Sequence, residues 1–337
     1  AIARKLTHPV VALVVAAIVA TSEFHILYSR TALTDVPMTA FMLAGILCGI
    51  NALDRLSWRW AILGGVATGI CWSIKYNGWF PLAVFGTAIL ARGVFHRKPL
   101  RAVGRDLGLW LVMASVSIAV WIPALLDLHE AGRGGYTEVQ TNHARYIQGF
   151  GHWWDNLQIV LAQLTWWESD WMRIVFAAAM AFGGSILLRR PDEDEWFAGG
   201  NRAAGVAAIV LAISLLWGWV SLMFWFVVFG LFGVSVLALE LLFRKGEDLN
   251  PHDPSRWVIL IWFGSLLLVT PLYTPYPRLA LPWLVSWWMI AGIGIDYYFD
   301  TLRFGTSHLM RPTTMRISLI VLVFFVVFQL PVTANRI

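Results

Sequence analysis

Long apolar blocks separated by short polar segments limit most strongly how this chain can fold. Of its 337 residues, 58% are hydrophobic and only 13% are charged, whereas a soluble protein carries roughly a quarter charged residues. Many blocks approach the ~20 residues that a helix needs to cross a bilayer. The period-two alternation of an outer-membrane barrel is missing. The sequence therefore predicts an all-α, polytopic transmembrane protein with a single transmembrane domain over 1–337.

Hydropathy divides the chain into eleven predicted spans. The block 203–243 is too long for one span, so we split it near 217–221. The predicted spans are 9–27, 36–53, 60–74, 79–91, 107–124, 171–188, 203–220, 222–243, 257–270, 279–299 and 317–331.

The basic residues orient these spans. If Arg4 and Lys5 are cytoplasmic and the spans alternate, 18 of the 25 Lys and Arg residues fall on the inner side, as the positive-inside rule requires. Short loops and the absence of an N-glycosylation sequon favour a bacterial inner membrane. The net charge of +5 is spread over short clusters, so we expect no nucleic-acid partner.

The predicted outer side contains one long loop, 125–170. It carries several His, Asp and Glu residues and four tryptophans. The segment 156–167 is typical of a helix that lies along the membrane interface with tryptophans at headgroup depth. Long loops are often functional, and this one is too aromatic for a disordered linker.

Two candidate site segments on the predicted outer side lie next to the first three predicted spans. Arg30 and Asp35 lie in YSRTALTDVPM, between two apolar runs, and ionisable groups at a membrane boundary are costly unless they are solvated or paired. A structural alternative is that Asp35 only caps the next helix and Arg30 only anchors at the interface. Lys75, in SIKYNGWFP, either binds a ligand or snorkels to the headgroups.

Two further groups lie later in the chain. The segment NHARYIQGFGHWWDN contains His143, Arg145, His152 and Asp155, and this composition suits a phosphate or a divalent metal, although the spacing fits no standard metal motif. The segment PLYTPYPRLALPW breaks the helix and leaves Tyr276 and Arg278 in the interface.

Several cations and a few carboxylates on one membrane face suit a lipid phosphate. Cations neutralise the phosphate, and a carboxylate accepts a proton from an attacking hydroxyl. A secondary transporter would bury ionisable groups near mid-bilayer, but the middles of these spans are nearly free of charge. Gly64, Gly65 and Gly69 would allow close helix packing there.

Four of these segments together resemble the GT-C membrane glycosyltransferases. The likeness is greatest to dolichyl-phosphate-mannose protein mannosyltransferases and to bacterial relatives such as the lipid A aminoarabinose transferases. The resembling segments are SRTALTDVPMTAFMLAGIL, SIKYNGWFPL, NHARYIQGFGHWWDNL and TPYPRLALPWL. Leu279 stands where the family commonly has an aromatic residue.

The resemblance implies an inverting glycosyltransferase that acts on the periplasmic or lumenal face. Its donor would be a polyprenyl-phosphate sugar, and its acceptor a hydroxyl of a lipid, protein or glycan, with membrane lipid around it. Asp35 would be a catalytic carboxylate that orients the acceptor or a metal. Arg30, Lys75, His143, Arg145, Tyr276 and Arg278 would bind substrate or its phosphate. A divalent metal ion is a candidate cofactor, with Asp35 and His143 as candidate ligands.

The resemblance also implies missing parts. Family members usually have about thirteen spans, with the principal catalytic Asp in the first outer loop. We therefore expect two further spans and that loop to precede Ala1. Two alternatives remain open at this point: a secondary transporter or lipid flippase, and a membrane scaffold whose loop 125–170 binds a partner protein.

Overall fold

The computed structural model of the protein describes residues 1–30, 34–96, 98–130, 135–166, 170–189, 195–217, 222–243 and 253–304. Within these ranges the chain forms α-helices and three short 3-10 helices, and no strand. The α-helices are α1 (Ile2–Leu6), α2 (Pro9–Thr21), α3 (Glu23–Arg30), α4 (Asp35–Arg55), α5 (Trp58–Ile74), α6 (Phe80–Phe95), α7 (Leu100–Glu130), α8 (Gly135–Ala144), α9 (Trp153–Trp166), α10 (Asp170–Arg189), α11 (Glu195–Leu216), α12 (Leu222–Phe243), α13 (Asp253–Val269) and α14 (Leu281–Phe304).

The helices confirm an all-α integral membrane protein. In the described ranges, five helical segments are long and apolar enough to cross a bilayer: Asp35–Arg55, Leu100–His129, Phe224–Leu242, Pro254–Leu272 and Pro277–Tyr298. Four more apolar helices are shorter: Val11–Thr21, Phe80–Phe95, Arg173–Ser185 and Arg202–Leu216. The count of eleven spans stays a prediction, and the span 317–331 lies outside the described residues.

One predicted span is divided into two helices. The segment 9–27 was expected as one helix, but α2 ends at Thr21 and α3 begins at Glu23. Thr21, Ser22 and Glu23 place three polar residues in succession. The Thr21 hydroxyl donates to the Ala17 carbonyl at 2.8 Å, a bond that competes with the helix ladder and often bends it.

The helices fall into two compact units. The first contains α3 from Phe24, α4 to α9, α13 and the start of α14 up to Ser286. The second contains α2, α10 to α12 and α14 from Trp287. A single transmembrane domain over 1–337 stays a prediction.

In the first unit, α5 packs closely between its neighbours. A Cβ on Gly65 would lie 2.7 Å from the Met113 carbonyl oxygen, and one on Gly69 would lie 2.6 Å from Val120 Cβ. The Ser117 hydroxyl lies 3.0 Å from the Gly65 carbonyl. Small residues therefore let α5 and α7 approach closely, as the sequence predicted. Near the carboxyl end of α5, Trp72 and Trp121 stack with ring centroids 4.2 Å apart.

In the second unit, α12 and α14 are in backbone contact. A Cβ on Gly233 would lie 2.1 Å from the Ile290 carbonyl oxygen, and one on Gly294 would lie 2.1 Å from the Phe229 carbonyl oxygen. Polar side chains contribute near the helix ends, where the Tyr297 hydroxyl donates to Glu240 at 2.7 Å. This unit contains none of the site residues predicted from the sequence.

Candidate active site

A buried ion pair lies at the end of the first unit where α4 begins and α5 ends. Asp35 is the first residue of α4, and Lys75 caps the carboxyl end of α5. The Lys75 ammonium donates to Asp35 Oδ1. The side chains are only 4% (Asp35) and 15% (Lys75) exposed, so each charge depends on the other for compensation. The structural alternatives were that Asp35 caps a helix and that Lys75 snorkels to the headgroups. Neither alternative predicted that the two side chains form an ion pair.

The backbone around Lys75 is held tightly against α5. The Gly78 amide donates to the Lys75 carbonyl at 2.8 Å. A Cβ on Gly78 would lie 2.2 Å from the Cys71 carbonyl oxygen, so only glycine fits this close approach. The buried Cys71 thiol in turn lies 3.3 Å from the Met38 carbonyl of α4. These contacts explain how a Lys-x-x-Gly spacing places the ammonium over the first turn of α4.

His143 joins this end through an aromatic contact. Its ring packs on Tyr76, the residue after Lys75, with centroids 3.7 Å apart. Its Nδ1 lies 2.6 Å from the Val139 carbonyl within α8, so this ring nitrogen is the donor to that carbonyl. The loop residue predicted from the sequence is therefore brought beside the Lys75 segment.

Two arginines and two tyrosines form a continuous row. The guanidinium of Arg145 lies over the Tyr146 ring at 5.0 Å, and that of Arg278 lies over the Tyr276 ring at 5.7 Å. The two rings meet edge to face with centroids 5.9 Å apart. Both guanidiniums are exposed. We call Arg145, Tyr146, Tyr276 and Arg278 the Arg–Tyr row.

Backbone pairing brings the two halves of this row together. Ile147 and Tyr273 form an isolated antiparallel bridge. The Gln148 amide donates to the Leu272 carbonyl at 2.7 Å, and the Thr274 amide donates to the Tyr146 carbonyl at 2.8 Å. The long loop and the proline-rich segment, more than 100 residues apart in sequence, therefore form one structure.

Tyr28 connects the ion pair with the Arg–Tyr row. Burial raises the pKa of its hydroxyl, the positive charge of Arg278 lowers it, and the negative charge of Asp35 raises it. Tyr28 thus lies within electrostatic reach of both Arg278 and Asp35. Arg30 is the last residue of α3, and its side chain lies outside the described part of the structure.

Metal binding stays a prediction for this site. Across the described residues, no group of three or more His, Cys, Asp and Glu side chains could hold a metal ion. The first candidate ligand, Asp35, is bonded by an ammonium, and the second, His143, uses Nδ1 within its own helix. His152 and Asp155 are exposed near the start of α9.

The sequence did not single out Tyr28, Tyr76, Tyr146 or Asn156. Each is adjacent to, or within, a segment that was singled out, and three are tyrosines near a predicted cation. A tyrosine next to a cation at a membrane boundary is a signal that would have found the three tyrosines, because aromatic faces attract cations.

The comparisons with known proteins address the amino-terminal part of this site. Residues 1–129 match the family model of dolichyl-phosphate-mannose-protein mannosyltransferase. No curated protein and no solved structure matches the chain. The matched segment includes Asp35 and Lys75, whereas the Arg–Tyr row lies beyond it. The match covers less than half of the chain and shows that its amino-terminal segment is similar to this mannosyltransferase family.

Proposed function

We propose that the protein transfers a sugar from a polyprenyl-phosphate-linked donor to an acceptor hydroxyl on the extracytoplasmic face of a membrane. The observation that carries this proposal is the buried pair of Asp35 and Lys75, beside which Tyr28 interacts electrostatically with both Asp35 and Arg278 of the Arg–Tyr row. Ionisable groups kept at a membrane boundary are typical of functional sites.

The cations suit a phosphate leaving group. When the bond between the sugar and the phosphate breaks, negative charge develops on the phosphate oxygens, and positioned cations stabilise it. Lys75 supplies a point charge, whereas Arg145 and Arg278 supply planar guanidiniums that bind phosphate oxygens in pairs. Their aromatic partners orient these guanidiniums. His143 and Tyr276 would add hydrogen bonds, and Arg30 belongs to the same predicted set.

The transfer itself forms one bond and breaks one. The acceptor oxygen attacks the anomeric carbon, the bond from that carbon to the phosphate oxygen breaks, and the configuration inverts. A carboxylate takes the proton of the acceptor hydroxyl, and polyprenyl phosphate leaves. We assign Asp35 to orienting the acceptor hydroxyl, as a second carboxylate beside the principal base that the family resemblance implies.

The experiment that tests this function uses the full-length gene product, with any residues that precede Ala1, in lipid nanodiscs. Polyprenyl-phosphate mannose with a labelled sugar is supplied with membrane-derived lipid, protein and glycan acceptors. We expect label to move to an acceptor while an equal amount of polyprenyl phosphate is released. In sealed proteoliposomes, passage of the intact donor across the bilayer without release of polyprenyl phosphate would instead indicate a flippase.

A further inference from the structure

Asn156 lies where the long loop meets the proline-rich segment. It is in the first turns of α9 and only 4% exposed. Its side-chain amide donates to Gln148 Oε1 at 2.8 Å, to the Pro271 carbonyl at 2.9 Å and to the Tyr273 carbonyl at 3.2 Å. A single NH₂ group with two hydrogens therefore serves three acceptors, one in the loop and two in the proline-rich segment.

The proline-rich segment depends on such a side chain. Pro271, Pro275 and Pro277 have no backbone N–H, so this segment cannot pair with the loop through a regular ladder. Its buried carbonyls still need donors. Asn156 supplies one from α9, and on the same helix Gln163 donates to the Pro275 carbonyl at 3.3 Å.

The residues that Asn156 contacts lie close in sequence to both halves of the Arg–Tyr row. Gln148 is two residues after Tyr146, and Tyr273 is three residues before Tyr276. Gly149, with φ of 75°, then turns the chain towards α9, a conformation that glycine adopts without strain. Asn156 thus fixes both segments that carry the row, although it contacts neither arginine.

We propose that Asn156 is a positioning residue that holds Arg145–Tyr146 and Tyr276–Arg278 together as one phosphate-binding surface. This inference rests on the proposed function, because it assigns the surface to the phosphate of the polyprenyl-linked donor. Without Asn156 the backbone pairing around Ile147 and Tyr273 remains, but the spacing of the two arginines is less firmly fixed, which weakens their joint binding of one phosphate. We therefore expect loss of Asn156 to weaken binding of the donor and to leave binding of the acceptor unchanged.

The first experiment compares Asn156→Leu with Gln158→Leu. Leucine approximates asparagine in size but donates no hydrogen bond, and Gln158 is an exposed residue of the same helix. We expect Asn156→Leu to raise the donor KM about tenfold or more, since displacements of about 1 Å have large effects. The acceptor KM stays unchanged, and Gln158→Leu behaves as wild type.

The second experiment restores the link by another route. Ile147 and Tyr273 are the opposed residues of the bridge, and their flanking bonds make them a non-hydrogen-bonded pair, whose Cα atoms are about 4.5 Å apart. This spacing accepts a disulfide. In Asn156→Leu carrying Ile147→Cys and Tyr273→Cys, oxidation should return the donor KM towards that of the same cysteine pair with Asn156 intact, and reduction should remove the effect.

The outcomes separate this inference from the proposed function. Binding of farnesyl phosphate, measured by tryptophan fluorescence, reports on the surface without any transfer. If wild type transfers no sugar but Asn156→Leu binds farnesyl phosphate about tenfold more weakly, the surface stands and the transferase proposal fails. An unchanged donor KM and farnesyl phosphate affinity in Asn156→Leu would overturn the role of Asn156. A rise in the donor KM of Asn156→Leu that the disulfide does not reverse would also overturn the role of Asn156.

Discussion

The first unit contains two buried ion pairs with the same exposure but different surroundings. Asp35 pairs with Lys75 where α4 begins, and Asp106 pairs with Arg92 where α7 begins. In both pairs the carboxylate side chain is 4% exposed and the cation 15%. Burial alone therefore does not tell a pair that stabilises the fold from one proposed to act in catalysis.

The difference lies in how the carboxylates are used. Asp106 bonds through both oxygens, with Arg92 at 3.2 Å and Arg105 at 3.4 Å. Among the described side chains, only that of Lys75 bonds to the Asp35 carboxylate. The Asp106 carboxylate therefore bonds guanidiniums through both oxygens, whereas the Asp35 carboxylate accepts an ammonium at a site rich in tyrosines and cations.

The largest effect is expected from removing each carboxylate charge in turn. Asp35→Asn should lower transfer activity by about 10²- to 10³-fold. Asp106→Asn should keep wild-type activity per folded molecule, because its carboxylate only joins α6 and α7. A radiolabel transfer assay, normalised to the monodisperse fraction, measures both. Equal losses of specific activity in the two variants would contradict the comparison.

Removing the cations tests stability and function separately. Lys75→Ala and Arg92→Ala each leave a buried carboxylate without its main partner, which should cost about 3 kcal/mol of folding free energy. Both should therefore lower the Tm measured in nanodiscs by similar amounts. Only Lys75→Ala should also weaken farnesyl phosphate binding. If Arg92→Ala weakens that binding as strongly, the Asp35 and Asp106 pairs do not differ in function.

Two glycines near the pairs provide a smaller test. An added Cβ on Gly78 would collide with the Cys71 backbone, whereas one on Gly104 would meet nothing within 4 Å. Gly78→Ala should cost about 1–3 kcal/mol, as overpacking does, and should displace Lys75. Gly104→Ala lies in a helix and should be neutral or gain up to about 1 kcal/mol. A thermal unfolding series is sufficient, and equal Tm values would argue against the close approach at Gly78.

The smallest effect concerns two exposed arginines of the first unit, each of which lies over an aromatic ring. Arg278 over Tyr276 and Arg59 over Trp58 have the same ring distance of 5.7 Å. Arg278→Ala should raise the donor KM about threefold to tenfold and reduce its salt dependence, because an exposed charge is partly screened. Arg59→Ala should change neither quantity. Donor kinetics at low and high salt measure this, and a matching shift in Arg59→Ala would make the effect a general one of membrane charge.

Helices were more predictable from this sequence than contacts were. Apolar runs of bilayer length anticipated most helices, the division between α11 and α12, and the helix α9, because these features depend on local hydropathy. The pairing of Asp35 with Lys75 was not anticipated, since the two are 40 residues apart and meet only after α4 and α5 pack. The same holds for the bridge between Ile147 and Tyr273 and for the division of the first span at Ser22. The predicted site residues were placed in named segments, but their mutual geometry needed the fold.

The spacing of the site along the chain has a consequence for biosynthesis. Asp35 and Lys75 belong to consecutive helices, so their charges neutralise each other as soon as α4 and α5 have been inserted. Tyr276 and Arg278 leave the ribosome some 200 residues later, at a translation rate of about 5–20 residues per second. For at least about ten seconds, the nascent protein therefore holds a neutral ion pair without the arginine surface that would bind a lipid phosphate. The proposed phosphate-binding surface is therefore complete only when the proline-rich segment joins the loop.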